Sequence, residues 1–85
     1  MGTNETYNGY KNRQTWSCAL WISNDEGLYN LAREYVKNHS DTRKLYSNFI
    51  RSCGMEHDNN SDGYKWLSTR IDYKEMNSFM RDLLN

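Results

Sequence analysis

The chain reads as an all-α domain, compact and single, with four or five short helices around one aromatic-rich core. Apolar residues recur at helical spacing in three separate stretches, which is the signature of one buried helix face. Residues able to cap a helix stand just before those stretches. The complete absence of proline is compatible with helix throughout. The alternative is α+β, with residues 14–22 extended as a strand.

Residues 1–10 are small and polar apart from Tyr7 and Tyr10, and read as a flexible N-terminal arm ahead of a single helical domain at 11–85. The segment after Asn12 is ambiguous. Trp16, Cys18, Leu20 and Ile22 alternate with Ser17, Ala19, Trp21 and Ser23, as a half-buried strand would. As a helix, Trp16, Ala19 and Leu20 share one side, and Cys18, Trp21 and Ile22 another. Pairing favours the helix: a strand buried alone leaves its amides unsatisfied, and no convincing partner strand follows. Trp16 and Trp21 diverge by about 140° on a helix, so one is expected in the core and the other at the surface. The expectation is a buried Trp16, and a Trp21 partly exposed and packed by Tyr29 or by a second subunit.

Ser23-Asn24-Asp25-Glu26 has the form of a capping box with Ser23 as the cap. Leu28, Leu31, Ala32, Tyr35 and Val36 then form the buried face of a helix. Ser40 or Asp41 is expected to cap the next one, which buries Leu45, Tyr46, Phe49, Ile50 and Cys53 and stops at Gly54. Met55 to Gly63 is polar and turn-rich, and reads as a loop. Tyr64, Trp66, Leu67 and Ile71 fit a short helix or an extended segment. The last helix is the best signalled: Asp72 caps it, Glu75 completes a box, and Ile71 and Met76 form a hydrophobic staple. Its apolar stripe is Met76, Phe79, Met80, Leu83 and Leu84.

Composition narrows the function classes. Hydrophobic residues make up 36% of the 85 and mean hydropathy is −1.07, so the aliphatic core is thin. Seven tyrosines and three tryptophans offset this, because each ring can bury roughly 150–250 Å². Eleven basic residues balance eleven acidic ones, which is not the footprint of a general nucleic-acid binder. No apolar run is long enough to span a membrane and no signal core opens the chain. A cytoplasmic location, with Cys18 and Cys53 as thiols and not a disulfide, is therefore expected.

Asn12, Arg13, Thr15, Trp16, Ala19, Leu20, Trp21, Ile22, Asn24, Asp25 and Glu26 form a block that resembles a family of small uncharacterised bacteriophage proteins, cyanophages among their sources. The family pattern runs Asn-Arg/Lys-Glu-Thr-Trp, Val-Ala-Leu-Trp-Ile and Asn-Asp-Glu. Gln14 replaces its usual Glu, and Cys18 its usual Val. Ile71-Asp72-Tyr73-Lys74-Glu75 is similar to a second, weaker block. The resemblance implies a phage origin and no catalytic residue; with the cytoplasmic location expected above, that places the chain in the host cell cytoplasm.

Three chemistries compete here with simpler readings. Asp58-Asn59-Asn60-Ser61-Asp62-Gly63 matches the first half of a calcium loop, but the twelfth place holds Thr69 where a bidentate Glu belongs. An ordinary Asn/Asp/Gly loop accounts for it better. Cys53 and His57 offer one short ligand pair where zinc requires two. Cys18 lies in an apolar context that raises a thiol pKa and makes it inert. Glu26, Asp72 and Glu75 have capping work. No cofactor and no enzymatic activity are expected.

What remains is a basic and aromatic region. Tyr10, Lys11, Arg13, Trp21 and Tyr29 are the candidate binding surface, since Trp, Tyr and Arg dominate interface hot spots. The expected function is a non-enzymatic phage accessory protein that binds a host protein, as inhibitor or modulator of host metabolism or defence. The alternative is nucleic-acid binding through Tyr10–Trp21, which uses the same residue types for stacking and phosphate contact. A homodimer is a further option.

Overall fold

The computed structural model describes residues 7–39 and 42–84. Of the expected arm at 1–10, residues 1–6 lie outside these described residues, as do the expected caps Ser40 and Asp41. Four helices follow one another: α1 (Arg13–Asn24), α2 (Glu26–His39), α3 (Leu45–Ser52) and α4 (Tyr73–Asp82). The described residues contain no strand, so the all-α reading stands and the extended alternative for 14–22 is set aside.

Helix α1 starts at Asn12, whose Oδ1 accepts the Thr15 amide at 2.9 Å. Its buried stripe is Thr15, Cys18, Ala19 and Ile22, a strict i, i+3, i+4, i+7 pattern. This stripe runs between the two groupings drawn from the sequence. Trp16 consequently stands half-buried on the outer side, not in the core as expected. The tryptophan that does enter the core is Trp66, 5% exposed.

The break between α1 and α2 is a single residue, Asp25, with φ −94° and ψ 111°. Its amide closes α1 on the Trp21 carbonyl, and its Oδ1 accepts the Leu28 amide at 3.0 Å. Asp25 is thus the cap, two residues later than expected. The Ser23 hydroxyl turns back to donate to the Ala19 carbonyl inside α1, a bond that satisfies it without starting a new helix. On α2 only Ala32 and Val36 are fully buried; Leu28 and Tyr35 flank them, and Leu31 faces outward at 56% exposure.

Helix α3 buries Leu45, Tyr46, Phe49 and Ile50, with Cys53 half-buried behind them. Its end is a Schellman motif: Gly54 at φ 71°, with Met55 N–H on the Ile50 carbonyl and Gly54 N–H on the Arg51 carbonyl. Its start is held from a distance. Asn77 of α4 accepts the Tyr46 amide at 2.8 Å and donates to the Arg43 carbonyl at 3.0 Å. Helix α4 buries Met76 and Met80, while Leu84 lies past its end and is 39% exposed.

Between α3 and α4, residues 53–72 adopt neither helix nor strand. Irregular stretches of this length are uncommon in small domains, and this one is pinned by its own side chains. Trp66 is buried, and its carbonyl accepts the Tyr46 hydroxyl at 2.6 Å. Asn60, also buried, accepts the amides of Asp62 and Tyr64 and donates to Ser17 and Cys18 of α1.

The starts of α1 and α4 are tied to each other. The Thr15 hydroxyl donates to Asn12 at 2.7 Å and accepts the Asp72 amide at 3.0 Å. Asp72 in turn caps α4 by accepting the Glu75 amide. Glu75 does not reach back to Asp72 as a capping box would; its Oε1 accepts the Lys11 amide at 2.7 Å. Asn12 Nδ2 closes the set on the Arg70 carbonyl.

Thr15→Val is therefore expected to cost about 1–3 kcal/mol, because it strands the Asp72 amide and takes one of two donors from Asn12 Oδ1, which keeps the residue 15 amide. Thr15→Ser should retain most of that stability. Urea unfolding of the two variants checks this, and a Val variant within about 0.5 kcal/mol of the parent would refute the crossed-cap account.

Both cysteines are free thiols. Burial pushes Cys18 up to about 11, and raises half-buried Cys53 by the same cause. Iodoacetamide at pH 8 should therefore leave Cys18 unmodified in the folded chain and modify it after denaturation. Peptide mass mapping reads the result, and native labelling at Cys18 would contradict its packing.

Candidate interaction surface

The five candidate residues do not form one surface: Tyr10 and Lys11 meet at Glu75, while Arg13, Trp21 and Tyr29 have other neighbours. Tyr10 is half-buried against α4, in a depression shared with Lys74, Glu75, Phe79 and Asp82. Burial and the charges of Glu75 and Asp82 raise its phenol above the usual value. Lys11 uses its backbone amide on Glu75 and is exposed. Tyr29 lies on α2, with the Arg33 guanidinium 5.9 Å from its ring centroid.

Trp21 faces the irregular segment and not Tyr29. Its recess is lined by Leu28, Met55, Asn59, Asn60 and Trp66. The indole N–H donates to Asp62 Oδ2 at 3.1 Å, and the Ser17 hydroxyl donates to the same oxygen at 2.7 Å. Trp21 thus has a structural task, which is to hold the segment around Asp62 against α1.

Arg13 joins a group that the candidate set left out. Its guanidinium lies 5.8 Å from the centroid of the Tyr7 ring, and Tyr7 packs on Trp16 at 4.8 Å with a 57° tilt. Leu20 stands one turn beyond Trp16 on the same outer face, also half-buried. Tyr7 is 37% exposed. Tyr7 reaches Trp16 because Tyr7-Asn8-Gly9-Tyr10 is a tight turn closed by two backbone bonds, with φ 50° at Asn8 and 90° at Gly9. Positive φ at both central residues is the type I′ turn, for which Asn-Gly is the favoured pair. The Asn-Gly between two tyrosines was the signal for this contact.

The motif at 58–63 is turned inward. Asn60 Oδ1 accepts two backbone amides, and Asp62 Oδ2 accepts Ser17 and Trp21. A calcium loop points those same oxygens at the ion, so the asparagine-rich turn here is joinery. No group of three or more His, Cys, Asp or Glu among the described residues is arranged to hold a metal. No described helix is long and apolar enough to cross a membrane.

The hydrogen bonds from Ser17 and Trp21, and the charge of Arg13, hold the Asp62 carboxyl below its ordinary 3.8. A carboxylate with a lowered folded value contributes stability above its unfolded value and loses it as pH falls through the folded one. Acid titration should therefore change Trp21 fluorescence below pH 3.8 before the domain unfolds. Asp62→Asn should remove that change, and an unaltered acid profile in the variant would overturn the assignment.

No curated protein and no solved structure matches this chain. One family does, over residues 3–85, and that span takes in both blocks joined by the crossed caps as well as the turn that carries Tyr7. The chain belongs to the family of unknown function DUF7249.

Proposed function

We infer that this chain is a non-enzymatic interaction module, and that its docking face is the outer side of α1 with the turn before it. The observation that carries this reading is the position of Trp16. It is half-exposed, it sits on α1 away from the buried stripe, and Tyr7, Arg13 and Leu20 surround it. Tryptophan, tyrosine and arginine, the three residue types most enriched in binding hot spots, meet on this face. The carboxylates that could perform acid–base work, Asp62, Asp72 and Glu75, accept hydrogen bonds that join elements of the fold. The partner class that suits a neutral chain with an apolar, singly charged face is another protein. The phage setting implied by the sequence resemblance makes that partner a host protein, bound so as to inhibit or modulate it in the host cytoplasm.

The tilted Tyr7–Trp16 pair, with the Arg13 cation over the Tyr7 ring, offers ring faces on which bases could stack and favours a second reading, single-stranded nucleic acid. The balanced net charge argues for the protein partner.

Trp16→Ala should leave the melting temperature within a few degrees of the parent, since Trp16 is outside the core. It should also abolish capture of the partner from host lysate, whereas Tyr29→Ala should not. Loss of the fold in Trp16→Ala, or undiminished capture, would overturn the proposal. Fluorescence anisotropy with a labelled oligonucleotide at low salt separates the readings, because binding that weakens steeply with salt belongs to the second. Light scattering on the same variants shows whether this face pairs two copies.

A further inference from the structure

Away from the aromatic face, a cleft of about 520 Å³ opens between α3 and the approach to α4. That volume is within the roughly 300–1,000 Å³ typical of small-molecule sites. Ser47 and Arg51 on α3, with Lys44 just before it, line one side, and Ser68, Thr69 and Tyr73 line it opposite. Among the described residues that line it, none is acidic. Lys44 and Arg51 are two helical turns apart, about 10 Å along the axis, which long side chains can close onto one ligand.

The facing wall is built before any ligand arrives. The Tyr73 hydroxyl accepts the Ser68 amide at 3.1 Å and donates to the Ser68 carbonyl at 2.8 Å. Ser68 Oγ accepts from Gln14 and from the Arg70 amide. These bonds commit Ser68 and Tyr73 to the frame and hold Thr69 at the rim. Lys44, Arg51 and the Thr69 hydroxyl are left as donors, with Ser47, whose one internal bond is long at 3.5 Å. The charge of Arg51 is felt at the Tyr73 phenol, which it draws down against the larger effect of burial. Leu67 supplies apolar lining beside these groups.

We propose that this cleft between α3 and the Ser68–Tyr73 wall binds a small phosphorylated ligand, its phosphate held by Lys44 and Arg51 and by the Ser47 and Thr69 hydroxyls. A dianion with three acceptor oxygens matches two cations and two hydroxyl donors lining one cleft, and charge-assisted hydrogen bonds of this kind are the strong ones. The site is separate from the docking face on α1 and stands or falls independently of it.

Amide NMR titration with inorganic phosphate, and separately with AMP, tests this on the whole chain. Shifts should centre on Ser47, Arg51, Ser68 and Thr69. The Lys44→Gln/Arg51→Gln double variant alters two exposed residues, so it should keep its melting temperature while its dissociation constants rise at least about tenfold, or 1.4 kcal/mol. AMP binding tighter than phosphate assigns the site to an esterified phosphate, and equal affinity assigns it to the free ion. The proposal is overturned if sodium chloride of matched ionic strength reproduces the shifts, if they centre elsewhere, or if the double variant titrates like the parent.

Discussion

The hydroxyl of Thr15 joins two helix starts that are far apart in the chain. It is fully buried, donates to the cap of α1 and accepts the amide of the residue that caps α4. Helix termini leave amides without intrahelical partners, and each must be satisfied locally or from elsewhere. Here the two ends satisfy each other: Asn12, Thr15, Asp72 and Glu75 form one closed set, with Lys11 and Arg70 contributing backbone groups. Once α1 and α4 are crossed in this way, the chain between them has little freedom. Asp25 turns α2 back against α1, and Asn77 fixes the start of α3 from α4.

The same helix secures the irregular segment. Gln14 donates to the Lys65 carbonyl, Ser17 to Asp62, and Cys18 packs beneath Asn60. Four polar residues are buried among the described ones, namely Gln14, Thr15, Ser17 and Asn60, and no buried side-chain N or O atom there lacks a partner. A polar network costs stability where it is half satisfied and specifies a unique packing where it is complete. A domain with a thin aliphatic core thus gains a defined loop conformation from hydrogen bonds as well as from burial of Trp66.

How much of this was legible in the sequence depended on the range of the interaction. Periodicity located α2, α3 and α4, the lack of a partner strand favoured helix for α1, and local chemistry identified the Gly54 stop and the Asp72 cap, because both act within a few residues. Ser23 was misread as a cap because Asp25 competes for the same role two residues later, and only the angle between α1 and α2 decides between them. The buried stripe of α1 was missed because it is mostly small and polar: Thr15 and Ser17 look solvated until Asp72 and Asp62 are placed beside them. Of the candidate site, Arg13 kept an aromatic neighbourhood, while Tyr10, Trp21 and Tyr29 went to three other parts of the surface. The Asn8-Gly9 turn was readable in principle, yet its contact with Trp16 is tertiary.

Tryptophan count was a poor guide to the core for a physical reason. Large rings are usually assigned inward because they bury the most area, but α1 lies against polar loop backbone along part of its inner side, where small donors fit and rings do not. Trp21 reaches that side only at its rim, where its N–H meets Asp62. Trp16 is left outside with Tyr7 and Leu20. The positions that hold the fold together on α1 and the positions open to a partner therefore occupy opposite sides of one helix. A change on the outer side can alter recognition without loosening the crossed caps, and a change at Thr15 or Ser17 cannot. That separation lets substitutions along α1 distinguish a recognition defect from a folding defect.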